Sequence, residues 1–72
     1  MGENLSKLFA YLQENNDKNV TSKDVANALQ LPISQVDGLF TSGIMRRGLG
    51  VATREGSLRY LKLTPAGMEH KE

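Results

Sequence analysis

The chain has no cysteine, one histidine, two prolines and four aromatic residues among its 72 residues. Without cysteine there is no disulfide framework and no thiolate zinc site, and the composition fits a reducing compartment such as the cytoplasm. One histidine cannot supply a metal cluster, so no metal is expected. His70 lies in the last residues and is expected to be solvated. No apolar run approaches the ~18 residues that a membrane span needs, and no basic-then-apolar leader opens the chain. Paired carboxylates, a nucleophile–base set and a phosphate-cradling glycine loop are all missing, so neither an enzyme nor a cofactor is expected. A net charge of only +1 argues for no particular partner.

What remains is an ordinary globular composition, 39% hydrophobic and 24% charged, which excludes a disordered acidic tail or a collagen-like chain. The length predicts one small domain over residues 1–72, with so little core that each apolar position counts. Charge is uneven along it. Residues 1–45 hold three lysines against five acids, a net −2. Residues 46–62 hold Arg46, Arg47, Arg54, Arg59 and Lys62 against Glu55, a net +4. The positive charge is local.

Apolar spacing gives the order of elements. Leu5, Leu8, Phe9 and Leu12 repeat at i, i+3, i+4 and i+7 and predict an amphipathic helix over residues 4–14, with Gln13 on its wet side. The polar run Glu14–Asn19 ends it. Val20 stands alone as an apolar residue and is placed to form a single bridge to a later strand. Thr21 and Asp24 form a capping-box pattern that starts a second helix with Val25, Ala26, Ala28 and Leu29 on its apolar side. Pro32 suits a first helical turn and begins a third helix over residues 33–46. Val36, Leu39, Phe40, Gly43 and Ile44 make its core face, with Gly43 expected to pack closely on the first helix. Gly48 follows Arg46 and Arg47, as a helix end expects.

After Gly48 the period changes to two. Leu49–Arg54 and Ser57–Leu63 flank Glu55-Gly56 and predict a hairpin over residues 49–63, with Leu61 and Leu63 inward and Tyr60 partly exposed or packed under the first helix. Thr64-Pro65 starts a final helix of a turn or two that is expected to fray.

The helix pair resembles a helix-turn-helix. Ala26 and Val36 stand where that family places a small residue and a buried aliphatic. Gln30 stands where that family usually has a turn glycine, so a strained or altered turn is expected. The full order, three helices, hairpin and short helix, resembles a winged helix-turn-helix of α+β class. Leu61-Lys62-Leu63-Thr64-Pro65-Ala66-Gly67 is similar to the end of the wing in MarR-type regulators, where a strand runs into Leu-Thr-x-x-Gly. Glu55-Gly56-Ser57 departs from that family's Asp-x-Arg, and the long flanking dimerisation helices are not seen. The resemblance therefore carries the fold, and neither the ligand response nor the dimer.

On such a fold the exposed face of the third helix enters the major groove of double-stranded DNA and the hairpin touches backbone or minor groove. Opposite Val36 that face shows Ser34, Gln35, Gly38, Thr41, Ser42 and Met45. Gln can pair with adenine, and Ser and Thr with any base. Lys23, Arg46, Arg47, Arg54 and Arg59 are placed for phosphate contacts, with Arg54 at the hairpin tip. Asp37, at the edge of the face, opposes any phosphate. The expectation is a small transcriptional regulator or chromatin-associated factor, gaining affinity as a homodimer or within a larger assembly. The alternative is a winged-helix protein-interaction module using the uncharged face against a protein partner. A membrane partner is expected in neither case.

Overall fold

Glu3–Glu14 forms helix α1, and its buried side is Leu5, Leu8, Phe9 and Leu12. The computed structural model describes residues 2–70. Helix α2, Ser22–Leu29, begins at a complete capping box: the Thr21 side chain accepts from the Asp24 N–H, and the Asp24 carboxylate accepts from the Thr21 N–H. The chain leaves α2 through Gln30 in the left-handed region (φ 56°, ψ 47°). Of the two expected outcomes this is the strained one: the turn keeps the left-handed geometry that glycine takes readily, with a side chain in it. Helix α3 runs over Ile33–Gly43, with Val36 and Phe40 buried.

The third helix is shorter than the periodicity predicts. It ends at Gly43 instead of residue 46. Ile44 leaves helical geometry (φ −120°, ψ −59°), and Met45–Arg47 form one 3₁₀ turn. The reason is local. Ile44 is fully buried, and Gly48 adopts φ 72°, which lets the Leu49 N–H return to the Ile44 carbonyl at 2.9 Å. Arg46 and Arg47 thus stand on a tightened turn beyond α3.

Strands β1, Gly50–Glu55, and β2, Leu58–Leu63, pair antiparallel with Gly50 opposite Leu63 and Arg54 opposite Arg59. The two-residue loop is Gly56-Ser57, one position later than expected. Gly56 has φ 62°, while no other residue of the hairpin has positive φ. A glycine with positive φ first and an ordinary residue second is the type II′ pattern, which Glu55 could adopt only under strain. Arg54 therefore lies one pair in from the tip pair Glu55–Leu58. Thr21 bridges Tyr60, and the Leu61 N–H donates to the Val20 carbonyl at 2.9 Å, the single bridge that Val20 suggested. Leu61 and Leu63 are buried and Tyr60 is half-buried beside that bridge.

Helix α4, Pro65–Glu69, is capped by the Thr64 side chain, which accepts from the Gly67 N–H. A Cβ on Gly67 would overlap the Leu49 carbonyl oxygen, so this position admits glycine alone. In physical terms the Leu-Thr-x-x-Gly run supplies a core residue, a cap and a point of backbone contact. Two expectations are corrected here. Gln13 does not face water: its Nε2 donates to the carbonyls of Gly67 (3.1 Å) and His70 (2.7 Å), pinning α4 to α1. His70 is half-buried, its ring 4.9 Å from that of Phe9. The end of the expected last helix, Lys71 and Glu72, lies outside the described residues. One apolar cluster draws on α1, α2, α3, Ile44 and β2. Gly43 meets Leu5 of α1 closely, as expected.

Candidate nucleic-acid interface

The exposed face of α3 is the one its periodicity predicts. With Val36 and Phe40 turned into the core, Ser34, Gln35, Gly38, Thr41 and Ser42 are all exposed, and Met45 continues the face on the following turn. Nothing lies within 4 Å of where a Gly38 side chain would begin. The Ser42 hydroxyl donates to the Gly38 carbonyl at 2.7 Å, a back-bond that keeps it on its own helix.

The wing is fastened to this helix by Arg59. Its Nη1 lies 2.8 Å from Asp37 Oδ1. Its Nη2 donates to Thr41 Oγ1 at 3.1 Å and approaches Met45 Sδ at 3.5 Å. The guanidinium carbon is 6.0 Å from the Phe40 ring centre, within cation–π reach. Asp37 accepts a second hydrogen bond, from the buried Ser22 hydroxyl at 2.6 Å. One carboxylate thus ties β2, α3 and the start of α2 together. Arg59 and Asp37 side chains are 18% and 36% exposed. Asp37, which the sequence placed against phosphates, has its charge matched by Arg59.

Between the wing and the two helices runs a groove of about 250 Å³. Ser22 and Lys23 line it from α2, Ile33 and Asp37 from α3, and Arg54, Leu58 and Arg59 from the hairpin. It brings together Lys23, Arg54 and Arg59, which are scattered in sequence. Arg54 and Arg59 are directly opposed across the strands, an arrangement that repels unless a counter-charge is present. Asp37 supplies it for Arg59. Lys23 and Arg54 form no hydrogen bond or ion pair among the described residues, so the groove keeps a net positive charge. Lys62 stands in register with Val51 on the opposite face of the hairpin and takes no part.

Arg46 and Arg47 do not reach this groove. They sit past the far end of α3. Arg47 Nε donates to the Gly43 carbonyl at 2.8 Å and its guanidinium covers Phe9 at 5.9 Å. Arg46 is exposed. The ten expected residues therefore fall into three sets: Ser34, Gln35, Gly38, Thr41 and Ser42 on the helix face, Lys23, Arg54 and Arg59 in the groove, and Arg46 and Arg47 at the helix end. Five groove residues were not foreseen, Thr21 and Ser57 and three others. Ile33 and Leu58 are large apolar side chains left 47% and 42% exposed. Their signal was present, since each stands at an element terminus where the periodic pattern leaves no core for it. The third, Ser22, carried no signal, because its partner Asp37 lies fifteen residues away.

No protein-family model matches the chain, and no curated protein matches it by sequence. Solved structures do match by shape. MepR, a transcription regulator of the Staphylococcus aureus multidrug efflux pump MepA, superposes with a TM-score of 0.84 at 21% identity over 96% of this chain and 51% of its own. The S. aureus MepR–DNA complex gives 0.82 at 21% identity over 96% and 57%. A candidate DNA-binding protein from Ralstonia eutropha JMP134 gives 0.84 at 19% identity over 94% and 89%. The chain thus spans about half the length of MepR and most of the length of the Ralstonia protein. The likeness covers helices, hairpin and final turn alike, and the chain has the winged helix-turn-helix fold of the MarR-type regulators.

Proposed function

We propose that the chain is a non-enzymatic DNA-binding module, residues 1–72 acting as one unit of a transcriptional regulator or chromatin-associated factor in the cytoplasm. Helix α3 enters the major groove with its uncharged face toward the bases. Lys23 and Arg54 take phosphates on the wing side, and Arg46 with Arg47 takes them beyond the carboxyl end of α3. The observation that carries this reading is the groove beside α3: two cations without partners among the described residues border a helix face of hydroxyl and amide groups. Such a face repels no phosphate and can bond base edges. Arg59 has a different part from the one its position in sequence suggested. It holds the wing at a fixed distance from α3, so that helix and wing meet the duplex as one rigid surface. MepR, which shares the fold, has been seen bound to DNA, and this supports the assignment. A single module of this size buries little surface, so full affinity comes from a homodimer or a larger assembly.

Fluorescence anisotropy with a labelled duplex of random sequence, read from low to moderate salt, tests the proposal. Binding that weakens steeply with salt is expected, because each phosphate contact releases condensed counterions. Absence of binding at low salt would refute it.

A further inference from the structure

The face of α3 offers fewer free polar groups than its sequence suggests. Gly38 has no side chain. The Thr41 oxygen accepts from Arg59, the Met45 sulfur lies against the same guanidinium, and the Ser42 hydroxyl is spent on the Gly38 carbonyl. Asp37 has its charge matched by Arg59 and is held through Oδ1 by Arg59 and Ser22, which turns this carboxylate toward the wing and α2. Only Ser34 and Gln35 are exposed with side-chain polar atoms free of hydrogen bonds among the described residues. Both lie in the first turn of α3, the end whose residues reach base edges when a helix of this kind docks. Pro32 precedes that turn and provides no side-chain cap, so neither residue is drawn back to the backbone by a capping role.

The two residues differ in what they can tell apart. A serine hydroxyl donates or accepts and bonds every base. A glutamine amide sets one donor beside one acceptor, which fits N7 and N6 of adenine and no other major-groove edge as well. We propose that Gln35 is the specificity-determining residue of this module and reads one adenine per bound copy through its side-chain amide. The inference rests on α3 being the groove helix.

The test uses the full chain and a duplex selected from a randomised library. Each adenine of the selected duplex is replaced in turn by 7-deazaadenine, which keeps Watson–Crick pairing and loses the N7 acceptor. At one adenine per bound copy the analogue is expected to weaken binding by the wild type roughly tenfold. Gln35→Ala is expected to bind the parent duplex as weakly as the wild type binds the substituted one, and to ignore the analogue at that position. Ser34→Ala keeps the wild-type response to the analogue. If every adenine tolerates the analogue, if Gln35→Ala keeps the wild-type pattern, or if the library yields binding without enrichment, the Gln35 assignment is wrong and DNA binding stands. If no duplex binds at low salt, both readings fall.

Discussion

The guanidinium of Arg59 and the carboxylate of Asp37 meet at 2.8 Å across the junction of wing and α3. Asp37→Asn removes the charge while leaving an acceptor for Ser22. The pair is partly shielded, and its loss also leaves Arg54 and Arg59 opposed without a counter-charge. A cost of about 1 kcal/mol is expected, seen as a fall in melting temperature of roughly 4–8 °C for a chain of this size. The same change adds positive charge to the groove, so affinity for random duplex at low salt rises. Stability and affinity moving in opposite directions is the signature. A parallel fall in both would show that Asp37 acts only through folding.

Arg59 and Arg54 face each other in register, yet their alanine variants are expected to differ. Arg54→Ala and Lys23→Ala each lower the slope of log affinity against log salt by about 1 and leave the melting temperature nearly unchanged. Arg59→Ala strips Asp37 and Thr41 of their partner and loosens the wing, so it lowers the melting temperature first. Equal thermal effects for Arg54→Ala and Arg59→Ala would contradict the division of roles.

Two glycines separate packing from exposure. Gly67→Ala drives a methyl group into the Leu49 carbonyl and is expected to cost about 2 kcal/mol or more, since backbone must shift. Gly38→Ala meets nothing within 4 Å and is expected to stabilise by about 1 kcal/mol through helix propensity. Thermal or urea unfolding of the two variants reads both signs. A neutral Gly67→Ala would mean that the contact between β2–α4 and Leu49 is looser than described.

Gln30 holds left-handed geometry without being glycine. Gln30→Gly removes a strain of ~1–2 kcal/mol and adds backbone entropy to the unfolded chain, so a net gain of about 0.5 kcal/mol is expected in denaturant melts. A loss of stability would show that the Gln30 side chain contributes contacts that outweigh its backbone strain.

The turn at Gln30 also marks how far the sequence could be read. Features set by neighbours in the chain were legible: the Thr21–Asp24 capping box, the Thr64-Pro65 start of α4, the core faces of α1 and α3, the inward Leu61 and Leu63. Val20 was legible too, because a lone apolar residue before a cap has few places to go. Features set by distant partners were not. Arg59 looked like a free cation because Asp37 is 22 positions away, and Gln13 looked solvated because its acceptors, Gly67 and His70, come from the other end of the chain. Asn16 belongs with these: its side chain accepts from the Leu63 N–H at 2.9 Å, although its neighbours suggest only a turn. The end of α3 was misplaced for another reason. Burial of Ile44 and the reversal at Gly48 end the helix at Gly43, ahead of the residue 46 that the spacing suggests.

Labelled protein titrated with a short random duplex, followed by two-dimensional amide NMR at low and moderate salt, tests the central claim most directly. The account predicts shifts gathered at Lys23, residues 33–47 and Arg54–Arg59, fading as salt rises, with α1 and the Lys62 face of the hairpin quiet. Shifts confined to the Lys62 face, or no shifts at low salt, would contradict it and turn attention to a protein partner for the uncharged face of α3.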